Sequence, residues 1–364
     1  MSIESYVLKL QQEKNPGIIE KLVLEFLSGL SWLYGKGVNK RRIKAQKQAV
    51  KVSVPVISVG NITAGGTGKT PCIMKLVQIL KQMGKHPAIL TRGYRGKLEK
   101  VGGIVSDWDK ILLSAQLAGD EPYMMAMKIS HTPVLVGKHR TASAQNAINM
   151  GADILLLDDG FQYWKLKRDI DIVLIDCTNP FGGEHLLPRG LLRENLECMQ
   201  RADIFILTKT EQVNSQIKDK IISRIKQWND QAFIIKSEQK PAGVVTYENW
   251  KKNIPIFLEN IENRKAFLVS GIGNPSSFQT TSEMAGFIIT GSINFPDHHC
   301  YVNTDIEKVT QMAIDSGADI ILTTEKDAVK LMPISSIPLY ILKIEMNFSG
   351  CGETVIKNLI TSLK

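Results

Sequence analysis

The chain has 364 residues, which at roughly 150 per domain predicts two domains. Apolar residues make up 43% of it, enough to build sizeable cores and to exclude a disordered chain. The formal charge of +9 calls for an anionic partner, while five scattered cysteines without C-x-x-C spacing point to a reducing compartment and against structural zinc.

Residues 1–50 carry nine Lys and Arg against four Glu, so more than half of the net charge sits there. Basic arms of this kind bind nucleic acid or anionic lipid. From Ile18 to Tyr34 the apolar residues Ile19, Leu22, Phe26, Leu30 and Leu33 recur at helical spacing, with Glu20, Lys21 and Glu25 off that stripe. The uncharged run Phe26–Gly35 is ten residues, short of the ~17–25 that a spanning helix needs. Trp32 and Tyr34 next to Lys36, Lys40, Arg41, Arg42, Lys44 and Lys47 suit a helix lying on an anionic leaflet, with no nucleic-acid partner. The competing reading is a helix packed on its own domain with a solvated basic tail.

From Val52 onward short apolar runs alternate with helical patterns, as in a mostly parallel α/β sheet covered on both faces. Strands are predicted at Val54–Val59, Ala88–Thr91, Val134–Val136, Ile154–Leu157, Ile172–Ile175, Ile204–Thr208 and Ala232–Ile235. The polar stretch Glu248–Asn263 reads as the heart of a linker over residues 241–265, separating a domain at 51–240 from a smaller α/β domain at 266–364. That second domain has strands at Ala266–Ser270, Phe287–Thr290, Ile320–Thr323 and Leu339–Leu342, then a helix at Glu353–Leu363.

The first strand runs into Gly60-Asn61-Ile62-Thr63-Ala64-Gly65-Gly66-Thr67-Gly68-Lys69-Thr70-Pro71 and an amphipathic helix. Strand, Gly-rich loop, Lys-Thr and helix stand in the order of a phosphate cradle, whose backbone N–H groups and helix N-terminus face phosphate oxygens. Lys69 then serves the β- and γ-phosphates and the Thr70 hydroxyl a Mg²⁺ ion. Thr63 stands where the usual G-x-x-x-x-G-K-[ST] pattern begins with glycine. Such a loop needs an acid at the end of a nearby strand for the metal, and Ile154–Leu157 followed by Asp158-Asp159-Gly160 supplies two.

Ala118-Gly119-Asp120-Glu121-Pro122 presents two further acids on what reads as a tight loop, either of which could take the proton of an attacking hydroxyl. Phe295-Pro296-Asp297-His298-His299 reads as an Asp–His pair rather than a two-metal site, or as a structural pair. Thr91-Arg92-Gly93-Tyr94-Arg95-Gly96 and Leu187–Glu194 are basic loops suited to a phosphate or sugar phosphate, or to plain solvent exposure.

Taken together, these segments resemble the tetraacyldisaccharide 4'-kinase family, the lipid A 4'-kinases of Gram-negative bacteria. The displaced glycine of the phosphate loop is shared with that family. Further carriers are Asn179-Pro180-Phe181-Gly182, Asp158-Asp159-Gly160-Phe161-Gln162 and Thr324-Glu325-Lys326-Asp327-Ala328-Val329-Lys330. The resemblance implies a P-loop NTPase-like kinase domain, with the smaller domain closing over the active site. It implies a monotopic enzyme, expected to be a monomer, on the cytoplasmic leaflet of the inner membrane. ATP and Mg²⁺ are the implied cofactors and an anionic glycolipid the substrate, phosphorylated at the 4'-hydroxyl to give lipid IVA. Asp120 matches the base and His298 its partner; Thr70, Glu121, Asp158 and Asp159 match groups around Mg²⁺. Residues Thr63–Thr70 match the nucleotide loop, and Asn61, Arg92, Tyr94, Gln162, Arg193 and Glu194 match further active-site positions. Lys165-Leu166-Lys167, Arg189 and Glu184-His185 depart from the family pattern and bear on lipid specificity. A different class, a P-loop GTPase acting as a switch or metal-delivery factor, is suggested by Leu207-Thr208-Lys209-Thr210-Glu211, which resembles a guanine-reading loop.

Overall fold

The structure is a computed structural model that describes residues 17–254, 257, 259, 261–331 and 336–363. Residues 1–16 of the predicted interfacial segment, and 255, 256, 258 and 260 of the expected linker, lie outside the described residues. In chain order the first strands are β1 Val56–Asn61, β2 Pro87–Thr91, β3 Gly103–Ser106, β4 Val134–Val136, β5 Ile154–Asp158 and β6 Ile170–Asp176. They are followed by β7 Ile204–Thr208, β8 Phe233–Thr246, β9 Lys265–Ser270, β10 Ile288–Asn294, β11 Ile320–Thr324 and β12 Leu339–Phe348. Two compact units form, each discontinuous in sequence: one comprises the chain up to Lys69, Asp153–Glu238 and Phe348 onward, the other Thr70–Ala152 and Gln239–Asn347.

In the first unit β7, β6, β1 and β5 lie side by side in parallel, with the start of β8 paired to β7. Every residue of β1, β5, β6 and β7 is buried, which is why each reads as a near-continuous apolar run. Parallel register places Val59 opposite Asp158 and Asp176 opposite Thr208. The acids that end β5 and β6 therefore emerge at the edge where β1 gives way to its glycine-rich loop. Beneath that edge Ile62, Phe161, Val173, Leu192 and Phe205 share one buried cluster, each worth about 1.5–3 kcal/mol when fully buried. Gly60 allows a close approach: a Cβ there would meet the Phe161 backbone nitrogen at 2.8 Å.

The helix Ile18–Lys47 belongs to this unit and buries Leu27, Ser31 and Val38. The Ser31 hydroxyl donates to the Leu186 carbonyl at 2.8 Å and accepts from the Arg189 backbone N–H at 3.1 Å. The opposite stripe, with Ile19, Leu22, Phe26, Leu30, Trp32 and Leu33, is exposed. No helix among the described residues is long and apolar enough to cross a membrane.

In the second unit β2 and β4 pair in parallel and β3 adds antiparallel to β4. The strand β3 has no sequence forecast, because four residues interrupted by turns carry too little periodicity. Elsewhere in the unit β10, β9, β11 and β12 run parallel in that order. The expected break after Lys240-Pro241 falls inside β8, which is continuous to Thr246. Tyr247–Lys251 is then a short helix whose Tyr247 and Trp250 are buried, so the polar start of the expected linker is structured.

Candidate active site

The predicted site residues form two groups, each within one unit. Asn61, Thr63–Lys69, Asp158, Asp159, Gln162, Arg193 and Glu194 belong to the first; Thr70, Arg92, Tyr94, Asp120, Glu121 and His298 belong to the second.

In the first group the glycine-rich loop is zipped to the segment that carries Arg193. The Ala64 N–H donates to the Leu191 carbonyl at 2.7 Å, and the Arg193 N–H donates to the Ile62 carbonyl at 2.8 Å. Gly65 and Gly68 adopt φ values of 116° and 87°, which favour glycine and let the chain turn its N–H groups inward. Lys69 opens the helix Lys69–Gln82, whose Ile73, Leu76, Val77 and Leu80 are buried as their spacing predicts. Its ammonium lies 3.4 Å from Asn61 Oδ1 and 3.5 Å from Asp159 Oδ1. Arg193 donates to Asp159 at 2.7 Å and to Gln162 Oε1 at 3.3 Å. Glu194 is buried and accepts from Gln162 at 3.2 Å and Arg201 at 2.8 Å, so its carboxylate organises neighbouring side chains. Of the residues that depart from the family pattern, Arg189 donates to Ser28 of the first helix at 2.6 Å, and Glu184 pairs with Arg224 at 2.7 Å.

Asp158 is buried, and Asp159 sits in the left-handed region at φ 49°. Two adjacent carboxylates beside Lys69 are hard oxygen donors. Among the described residues no three His, Cys, Asp or Glu side chains converge into a protein cage for a metal. That donor set fits Mg²⁺, which is held by one or two carboxylates and completes its shell with phosphate and water. The buried Thr67 hydroxyl of the loop has no hydrogen-bond partner among the described residues.

In the second group Asp120 and Glu121 were expected on a tight loop; they are instead the first two residues of the helix Asp120–Lys128. Gly119 precedes them at φ 96°, and a Cβ there would approach the Tyr94 carbonyl to 3.0 Å. Acids at a helix N-terminus are favoured by its partial positive charge, and Pro122 is tolerated in the first turn. Arg92, at the end of β2, donates to Glu99 at 2.5 Å, and the ring of Tyr94 packs edge-on against His298 with centroids 5.5 Å apart. His298, at φ 63°, faces Asp120 Oδ2 through Nδ1 at 3.4 Å. His299 turns to a different acid, Asp305, at 2.8 Å, so the adjacent histidines do not converge. Burial alone would push the Asp120 carboxyl up, but the hydrogen bond with His298 and the charge of Lys330 hold it below its ordinary value.

Thr208 and Lys209 take a role that motif reading did not give them, holding carbonyls of the phosphate loop, and Asp176 anchors the lysine. The Thr208 hydroxyl donates to the Thr67 carbonyl at 3.0 Å. Lys209, at φ 56°, donates to the Gly66 carbonyl at 3.4 Å and forms a buried ion pair with Asp176. The segment that resembles a guanine-reading loop thus braces the phosphate loop from behind. An acid at the end of β6 and a lysine after β7 were the available signals.

A family model described as tetraacyldisaccharide-1-P 4'-kinase matches residues 23–363. The tetraacyldisaccharide 4'-kinase of Halothermothrix orenii is 37% identical, over 96% of this chain and 95% of its own length. That of Syntrophus aciditrophicus is 39% identical, over 82% of each. A crystal structure of LpxK from Aquifex aeolicus, described as an "apo" form in complex with ATP, aligns with a TM-score of 0.72 at 29% identity, covering 93% of this chain and 99% of that one. With matches spanning nearly its whole length, the chain belongs to the tetraacyldisaccharide-1-P 4'-kinase family.

Proposed function

We propose that the chain transfers the γ-phosphate of ATP to the 4'-hydroxyl of a tetraacylated glucosamine disaccharide 1-phosphate, on the cytoplasmic face of the inner membrane. The observation that carries this reading is the family match over residues 23–363, and it sets aside the GTPase alternative. Asp120 accepts the proton of the attacking hydroxyl as its oxygen bonds to the γ-phosphorus, and the bond to the β–γ bridging oxygen breaks to release ADP. His298 holds the carboxylate that takes this proton. Lys69 and the N–H groups of Gly65–Thr70 bind the phosphates and offset their charge, the Ala64 N–H being taken by the Leu191 carbonyl. Asp158 and Asp159 of the first unit, and Thr70 and Glu121 of the second, are the candidate oxygen donors that would hold Mg²⁺, which would offset phosphate charge. Asn61, Gln162, Arg193 and Glu194 in the first unit and Arg92 and Tyr94 in the second are the candidate residues for the anionic glycolipid. The exposed stripe of Ile18–Lys47 supports attachment at a membrane surface by a monomer.

The test supplies γ-radiolabelled ATP or GTP with the disaccharide 1-phosphate and follows label by thin-layer chromatography. Label from ATP should reach the lipid in a Mg²⁺-dependent manner. Hydrolysis without lipid labelling, or transfer from GTP alone, would overturn the assignment.

A further inference from the structure

The seven residues Thr324–Lys330 follow on from β11, and their side chains reach Asp120 itself and the residues next to Asp120 and His298. Thr324 caps the one-turn helix Glu325–Ala328, its hydroxyl accepting from the Asp327 N–H at 3.1 Å. Lys326 and Lys330, four positions apart, therefore project from one side of the turn. Lys326 lies 2.8 Å from Glu121 Oε1 and 3.1 Å from Asp297 Oδ1. Lys330 lies 3.3 Å from Asp120 Oδ2, the oxygen that His298 also faces. Its ammonium makes no aligned hydrogen bond among the described residues, so it acts on Asp120 as a charge. Asp327 accepts from the Tyr301 hydroxyl at 3.0 Å, and the buried Glu325 pairs with Lys128 at the far end of the Asp120 helix. One short segment thus grips the helix of Asp120 at both ends and the His298 loop on both sides. The grip has a purpose, because His298 sits at a positive φ and meets Asp120 only at 3.4 Å. A loop left to relax would carry the imidazole out of reach.

We infer that Lys326 and Lys330 are positioning residues that hold the Asp120 carboxylate and the His298 imidazole together. Lys326 ties the loop before His298 to the start of the Asp120 helix, and Lys330 pins the carboxylate oxygen between itself and the imidazole. The inference rests on the proposed role of Asp120 as proton acceptor. Neither lysine touches substrate in this scheme, so their loss should lower kcat while leaving nucleotide affinity alone.

The experiment measures kcat and KM for ATP, Mg²⁺ dependence and thermal melting for full-length K326M, K330M, K330R, D297N, D120A and the double variant K330M/D120A. K326M and K330M should lower kcat by about 10- to 100-fold, the scale of a small misplacement of reacting groups, with KM for ATP unchanged in both and Mg²⁺ dependence unchanged in K330M, whose lysine meets no proposed metal donor. K330R should recover part of the loss, and K330M/D120A should be no slower than D120A, because the lysine acts through that carboxylate. D297N removes the exposed partner of Lys326, whose other oxygen lies 3.8 Å from His298 Nε2, and should lower kcat without altering the melt; K330M and K330R decide the matter if K326M does not fold. Wild-type kcat in the lysine variants, a loss confined to KM for ATP or to melting, or a multiplicative double variant would overturn the inference. D120A at wild-type kcat would overturn the base assignment, and this inference with it. Inactive D120A beside fully active lysine variants would overturn the inference alone.

Discussion

Replacing Leu22, Phe26 and Leu33 together with glutamine tests how the first helix is used. The helix docks through Leu27, Ser31 and Val38, while Leu22, Phe26 and Leu33 on the outer stripe stay 67%, 67% and 58% exposed. Full burial of such a side chain is worth about 1.5–3 kcal/mol, so covering the exposed part yields about 1–2 kcal/mol each. Half-immersion at an interface leaves roughly 2–3 kcal/mol for the three together, about a 50-fold change in partitioning. Flotation with anionic phospholipid vesicles, titrated in lipid, should show that loss along with a raised KM for the lipid substrate. The melting temperature should hardly move, since exposed substitutions usually stay within about 0.5 kcal/mol. Raised salt should weaken attachment further without abolishing it in the wild type, because Lys36, Lys40, Arg41, Arg42, Lys44 and Lys47 each add about 1 kcal/mol only near the charged surface. Leu27→Ala is the opposite control, costing stability through the docked face and sparing vesicle binding. A triple variant that floats like wild type, or a wild-type protein that never floats, would refute the reasoning.

Lys69→Ala should abolish transfer and leave the melt unchanged, since the ammonium faces the loop and not the apolar core; near-full activity would remove the phosphate-loop assignment. Lys209→Met leaves the Asp176 carboxylate buried without its counter-ion, a loss of about 3–5 kcal/mol that thermal unfolding should register. Adding Asp176→Asn should restore much of that stability while KM for ATP stays raised, because the Gly66 carbonyl is still unheld; recovery of both would show that the brace has no role. Asp120 has a folded-state pKa below its unfolded value, so its contribution to stability is present above the ordinary carboxylate range and lost as pH falls through the folded value. Asp120→Asn should therefore flatten the acid limb of the stability profile below about pH 4, and an unchanged limb would contradict the His298–Lys330 environment.

Wherever chemistry is local, the linear chain was already informative. Continuous apolar runs marked β1, β5, β6 and β7 because both faces of a parallel sheet are covered, and Val134–Val136 and Ile204–Thr208 have the predicted bounds. The glycine-rich loop between a strand and a helix was legible because its neighbours in space are its neighbours in sequence. The strand β3 and the passage of β8 through Pro241 were not, since pairing with a distant partner, rather than local periodicity, decides such segments. Asp120 read as a turn residue because Gly-Asp-Glu-Pro begins a loop and a helix equally well; Gly119 at φ 96°, packed against the Tyr94 carbonyl, settles it as a helix start. The amphipathic stripe of the first helix was plain from its spacing, but the spacing could not say which face would dock. Ser31 and Ser28 meet a segment more than 150 residues away, and that contact leaves the stripe outward. Likewise the lysines at 209, 326 and 330 stood in segments that the sequence singled out, but nothing local named the acids they would meet. Their partners, Asp176, Glu121 and Asp120, lie far off in sequence, and only the closing of the chain on itself brings charge to charge.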